Sequence, residues 1–206
     1  MRSLRAPALL AAAVLLAAGD ARAEEEKAWA FSAYAYTFFV PGDGDYVQPA
    51  VTADRGRLHL EARYQYEDSD TTSVWAGYNF SVGDTVTFEG TAMLGGVFGR
   101  TDGIAPGYKA SLGWSKLEWY SEGEVLFDTN ASSDSFFYAW SELTWAPAEW
   151  VRFGLVGQRT RVYETDREIQ RGLLLGFSGE HVDVTTYVFN PDDDSPTVVL
   201  ALGLSF

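Results

Sequence analysis

From position 57 onward, apolar and polar residues alternate with a period of two: Leu58, Leu60, Ala62, Tyr64 and Tyr66 interleave with Arg57, His59, Glu61, Arg63, Gln65 and Glu67. Successive side chains of a strand point to opposite faces, so this run predicts a strand with one apolar and one charged face. The alternation returns at Val74, Ala76, Tyr78 and Phe80, at Val86, Phe88, Gly90, Ala92 and Leu94, and at Tyr108, Ala110, Leu112 and Trp114. Later, Leu117, Trp119, Val125 and Phe127 alternate with Glu118, Tyr120, Glu122 and Glu124. Val182, Val184, Thr186 and Val188 alternate with His181, Asp183, Thr185 and Tyr187.

Short turns are expected at Ala53–Gly56, Ser81–Asp84, Gly113–Lys116, Ala146–Glu149 and Ser178–Glu180. Longer polar loops are expected at Pro41–Asp45, Glu67–Thr72, Gly99–Gly107, Asp128–Asp134, Val162–Ile169 and Asn190–Pro196. Each interval between short turns then holds an up-strand, a long loop and a down-strand. Residues 28–206 are therefore expected to form 12 strands, with both ends on the short-turn side. An even count with alternating short and long connections is what a bacterial barrel requires. The expected fold is all-β, a 12-stranded antiparallel up-and-down transmembrane β-barrel, with 10 or 14 strands as alternatives. No linker interrupts it.

A sheet in hydrocarbon cannot leave an edge unpaired, so the first strand, near Ala28–Val40, must pair with the last. Its faces are ambiguous, because Trp29, Phe31 and Phe39 compete with Tyr34, Tyr36 and Phe38 for the lipid side. Pro49 removes one ladder donor and suggests a bulge or a short second strand.

Arg2 and Arg5 precede an apolar run from Ala8 to Ala18, which the small-residue pattern Ala21-Arg22-Ala23 follows. This is the layout of an export signal, residues 1–23, cleaved after Ala23, leaving 24–206 as one barrel domain. No segment offers the roughly 18 consecutive apolar residues of a helical span, which excludes a helical membrane protein. At the other end Val198, Leu200, Leu202, Leu204 and Phe206 share one face. This stretch resembles the C-terminal assembly signal of Gram-negative outer-membrane β-barrels, whose terminal Phe, here Phe206, is read by the barrel assembly machinery. The resemblance implies an outer-membrane location, among membrane lipid and lipopolysaccharide. Met93 to Pro106 and Asn190 to Phe206 are similar to an uncharacterised small-barrel group to which no activity is attached.

Removing residues 1–23 leaves 12 basic and 28 acidic residues, a net charge of −16, which argues against a nucleic-acid partner. Cysteine is absent, so thiol chemistry and cysteine metal sites are ruled out. The 7 Trp and 11 Tyr suit a membrane interface but also fill soluble β-cores.

With the apolar faces toward lipid, the other faces line a lumen. They carry Arg57, Arg63, Lys109 and Arg152 against Glu61, Glu89, Glu118, Glu122, Glu124, Glu142 and Asp183, together with His59. Two functions fit this acidic lumen. One is a narrow pore for small neutral or cationic solutes. The other is a non-conducting barrel with a salt-bridged interior, with Tyr120, Tyr138, Trp140 and Tyr187 as the bulky residues that would close it.

No catalytic residues and no cofactor are expected. Glu118, Glu122 and Glu124 share a strand face, but lumen carboxylates paired with bases or solvated by water explain them. His59 and His181 are expected as ordinary lumen histidines. No Gly-x-Ser-x-Gly elbow is present, and no Ser with a lipid-facing His as an outer-membrane phospholipase would need. Channels for acidic oligosaccharides would be lined with arginine, and this lumen is acidic instead. An outer-membrane enzyme using lumen carboxylates, and a soluble periplasmic barrel with inverted faces and an apolar ligand, are the lesser alternatives.

The long loops and their edges carry Asp43, Asp45, Glu67, Asp68, Asp70, Asp102, Asp128, Asp134, Glu164, Asp166 and Glu168 against Arg100, Arg161 and Arg167. Together with Asp192, Asp193 and Asp194 these acids make a strongly negative mouth, which a solvated, repulsive surface explains; the alternative is that Asp192–Asp194 offer hard oxygen ligands for a divalent cation bridging to lipopolysaccharide phosphates, without the Gly and Glu of a known calcium loop.

Overall fold

The structure is a computed structural model that describes residues 28–42, 44–130, 135–162 and 168–206. The export signal, and Asp43, Asp134, Glu164 and Asp166 of the acidic loops, lie outside the described residues. Twelve strands follow one another without a helix among those residues: β1 (Ala30–Phe39), β2 (Tyr46–Arg55), β3 (Leu58–Tyr64), β4 (Thr71–Val82), β5 (Val86–Gly99), β6 (Gly103–Trp114), β7 (Leu117–Asp128), β8 (Phe136–Ala148), β9 (Val151–Val162), β10 (Glu168–Ser178), β11 (Val182–Phe189) and β12 (Thr197–Ser205). Each pairs antiparallel with its chain neighbours, and β1 pairs with β12 from Ser32↔Ser205 to Phe39↔Val198, so the sheet closes on itself. Phe31 and Phe206 complete this junction with two backbone hydrogen bonds of 3.0 Å and stacked rings 6.3 Å apart. Closure leaves no strand edge, which is how a sheet satisfies its backbone in hydrocarbon.

The outer face is a belt of exposed Leu, Val, Ile, Phe, Tyr and Trp. Trp29, Trp114, Trp145 and Trp150 cluster at the turn end, where an indole can place its ring in hydrocarbon and its N–H at the head groups. In β1, Phe31 and Phe39 face out, whereas Tyr34 and Tyr36 line the lumen and Phe38 packs in its core.

Two expectations differ from the structure. The loop placed at Gly99–Gly107 is only residues 100–102, because β6 starts at Gly103 and pairs with β5 through Pro106. β2 also runs unbroken through Pro49, which lies beyond the last β2–β3 pair, Ala50↔Arg63, so that ladder does not need its missing N–H. The register shift that the ladders do show is between Trp145 and Ala148.

Candidate functional site

The lumen has three tiers. At the turn end a cavity of about 1320 Å³ is open between the rim residues Asp84, Lys116 and Glu149 and a floor that includes Tyr36, Tyr66, Tyr120 and Tyr187. Its walls carry Asp54, Glu61, Asp84, Glu118, Glu122, Glu142, Glu149 and Asp183 against Lys109, Lys116 and Arg152, eight acids to three bases. Arg152 grips Asp183 with two hydrogen bonds of 2.7 and 2.9 Å, one strand pair away across β10. Glu89 lines an adjoining cavity of about 820 Å³ with Glu118 and Tyr120.

The middle tier is a set of bonds thrown across the lumen. Arg63 on β3 donates to Glu61 at 2.9 Å and reaches Glu124 on β7 at 3.0 Å. Lys109 on β6 meets Glu61 at 2.8 Å, and His59 joins Glu61 to Asp54 at 3.1 and 2.8 Å. Glu122 and Glu142 are held differently, by neutral donors. Glu122 accepts from Tyr66 and, at 2.7 Å, from Tyr120, while Glu142 accepts from Trp140 at 2.8 Å and Tyr187 at 2.9 Å. Both carboxyl groups thus meet phenols and an indole, with no salt bridge to either among the described residues.

Glycine positions this tier. A Cβ at Gly95 would sit 2.5 Å from the Trp75 ring, so only glycine lets that indole lie flat against β5. Trp75 is fixed further by its N–H bond to Ser73 at 2.9 Å, and the Arg63 guanidinium lies 4.5 Å from its ring and 4.4 Å from that of Tyr66. Arg63 is therefore aimed at both carboxylates by a stack on two aromatic faces.

The loop-end tier is apolar. Phe38, Trp140, Val156, Leu174, Tyr187, Phe189 and Val199 form one buried cluster, and Trp75, Met93, Val97, Ala105 and Leu126 another. Phe189, Leu126 and Val199 have no accessible surface. This tier fills the lumen with packed side chains.

Of the residues expected to line a pore, His59, Glu61, Lys109, Glu118, Tyr120, Glu122, Glu142, Arg152, Asp183 and Tyr187 border the turn-end cavity. Arg63 and Glu124 are buried in the cross-lumen network, Trp140 is in the apolar tier, and Tyr138 packs edge-on against Tyr66. Arg57, in the β2–β3 turn, borders the smaller cavity that Glu89 lines, and its guanidinium lies over the ring of Tyr78, whose hydroxyl it reaches. His181 departs from expectation: it is an exposed residue of the β10–β11 turn, 3.8 Å from Glu180. Among Asp192–Asp194, Asp192 is taken by Arg171 at 2.7 Å, and that bond holds its carboxyl below the usual carboxylate range. No group of three or more His, Cys, Asp or Glu converges on a metal-sized site among the described residues.

Trp140 and Tyr187, expected among the residues that would close the barrel, belong to the apolar tier, and Tyr120 and Tyr138 pack against it; its aliphatic and Phe members were not expected. Its signal is a loss of alternation toward the loop end, where Met93, Gly95 and Val97 stand between Ala92, Leu94, Gly96 and Phe98, and Leu174 between Leu173 and Leu175. Both faces of the strand are apolar there, which marks burial on both sides.

No family model matches the chain, and no curated protein is similar to it in sequence. Among solved structures the barrel is similar to the KdgM porin, with a TM-score of 0.63 and 12% identity over 85% of this chain and 99% of that one. The KdgM porin in complex with disordered oligogalacturonate gives 0.62 and 13%, over the same shares. The NanC porin gives 0.56 and 11%, over 84% of this chain and 98% of that one. The fold is that of a twelve-stranded, porin-like transmembrane barrel.

Proposed function

We propose that the chain is a narrow outer-membrane channel for small neutral or cationic solutes, closed in this conformation by the apolar tier at the loop end of its lumen. The observation that carries this reading is the acidic turn-end cavity, in which eight carboxyl groups face three bases and Glu122 and Glu142 accept hydrogen bonds from neutral side chains. Low-dielectric walls focus such a field and raise the local concentration of cations. The porin-like fold supports the reading, and covalent chemistry has no part in it. The oligogalacturonate of the KdgM complex does not transfer, since an acidic lumen repels an anionic sugar.

The same proposal includes delivery by the export signal cleaved after Ala23 and insertion in a Gram-negative outer membrane by the barrel assembly machinery, with Phe206 as the recognition residue. A second reading, a non-conducting structural barrel, is favoured by the complete burial of Phe189, Leu126 and Val199. Reversal potentials in planar bilayers under a salt gradient decide between them. Cation-selective events that weaken as Glu118, Glu122 and Glu142 are changed to Gln are expected; anion selectivity overturns the charge argument, and silence from folded protein favours the structural barrel.

A further inference from the structure

The outer face of the barrel carries a depression over β8, β9 and β10, bounded by Trp119 of β7. There a groove of about 530 Å³ runs along the surface, with Trp119, Leu143, Leu155 and Leu173 as walls and Ser141 and Gly157 as floor. The ladder explains the groove. Ser141, Gly157 and Arg171 are consecutive partners across the three strands, as are Leu143, Leu155 and Leu173 in the row nearer the turns, so two small residues flanked by Arg171 lie beside a row of leucines. A Cβ at Gly157 would meet nothing nearer than the Gln170 carbonyl oxygen at 3.9 Å, so the groove is open space over the strand.

Two arginines stand at its loop end. Arg159 packs its guanidinium 5.4 Å from the Phe137 ring centroid, and its Nε is buried with no hydrogen-bond partner among the described residues. Arg171 is exposed and held on one side by Asp192 at 2.7 Å. Arg159 pairs with Ile169 and Arg171 with Gly157, so the two are diagonal neighbours on adjacent strands, with bases about 7 Å apart. Arg159 leans toward Phe137 on β8 and Arg171 toward Asp192 after β11, so both guanidinium groups must turn into the gap between their strands to share one phosphate, which accepts the forked N–H groups of arginine. Arg159 lies eight residues up β9 from Val151, about 20 Å along the barrel axis at the usual rise and tilt, near the outer limit of the ~25 Å apolar band. Cations at that height on a lipid-facing surface meet head groups rather than acyl chains, while the groove below them is apolar.

We propose that this face binds one phosphate-bearing, multiply acylated glycolipid of the outer leaflet, with its phosphate on Arg159 and Arg171 and an acyl chain in the groove over Gly157 and Ser141. The proposal rests on the outer-membrane placement above but not on conduction. A second copy of the chain fits less well, because a two-fold contact through this face sets the same arginines against each other.

The test is native mass spectrometry of the refolded barrel in neutral detergent, titrated with lipid A. One-to-one retention of the bisphosphorylated lipid is expected. Dephosphorylated lipid A and phosphatidylglycerol should each bind about tenfold more weakly, as should the wild-type lipid to the Arg159→Gln, Arg171→Gln double variant. Gly157→Leu fills the groove with both arginines intact and should weaken binding by a similar factor. Equal binding of the dephosphorylated lipid or of phosphatidylglycerol overturns the proposal, as does retention by folded double and Gly157→Leu variants. A lipid-free dimer that Gly157→Leu abolishes also overturns it and assigns the face to a second copy. Because the readout is lipid retention, its outcome is independent of whether the barrel conducts.

Discussion

Arg63→Met removes the centre of the cross-lumen network while keeping an unbranched apolar stem against Trp75 and Tyr66. The side chains of Arg63, Glu61 and Glu124 are only 3%, 4% and 3% exposed, so the two carboxylates lose their partner in a space closed to water. The loss is unequal. Glu61 retains Lys109 at 2.8 Å and His59 at 3.1 Å, whereas Glu124 has no other ion pair among the described residues. Removing one partner of a buried pair costs about 3–5 kcal/mol, because the remaining charge is left uncompensated. Most of that cost should therefore fall on Glu124. Adding Glu124→Gln to Arg63→Met should recover more than about 2 kcal/mol, a coupling well outside the range of independent sites. Reversible urea unfolding in lipid vesicles, followed by tryptophan fluorescence, measures all three variants. A loss below about 1 kcal/mol for Arg63→Met, or a double variant as unstable as the sum of the singles, would refute the network as a structural element.

Three other perturbations test other parts of the structure. Phe189→Ala opens a void in the apolar tier at a side chain with no accessible surface, and should lower unfolding stability by about 3–5 kcal/mol in the same vesicles; a loss near zero means that the tier is not packed. Leu155→Arg, on the outer face four residues up β9 and so about 10 Å along the axis, near the middle of the apolar band, should cost about 2–4 kcal/mol in a bilayer, whereas near-neutrality would show that this face meets water. In the β3–β4 loop, burial pushes the Glu67 carboxyl up, so the folded loop holds a proton that the unfolded chain gives up at lower pH. The loop's stability is then complete below the ordinary carboxylate range and declines as pH rises through the raised value. Hydrogen exchange at Gln65, whose N–H donates to Thr71 at 2.8 Å, should lose protection with rising pH after correction for the intrinsic rate, and Glu67→Gln should abolish that trend.

The barrel was legible because its cause is local. Period-two alternation states which face of each strand meets lipid, and turn spacing then sets the count; β3, with its charged inner face of His59, Glu61 and Arg63, is the plainest case. The lumen was legible only as a set of inward residues. Which carboxylate meets which base depends on neighbours across the barrel: Arg63 and Glu124 are four strands apart, and Tyr187 reaches Glu142 across three. No local pattern encodes those partners. The apolar tier was obscured because, where Phe189 or Leu174 faces a dry lumen and its neighbours face lipid, both faces read alike. Arg57, in the β2–β3 turn, borders the smaller cavity and also bonds the outward-facing Tyr78, so alternation carried into a turn no longer assigns a side chain to one face.

The central claim is that the apolar tier limits conduction while the acidic cavity below it sets the sign of the permeating ion. Single-channel conductance and reversal potential of the Phe38→Ala, Phe189→Ala variant, against the wild type at 0.1 M and 1 M salt, test both halves together. The account predicts a several-fold rise in conductance, with cation preference retained at low salt and weakened at high salt as screening shortens from about 10 Å to about 3 Å. Unchanged conductance in folded variant protein, or a preference for anions at either salt concentration, would contradict it.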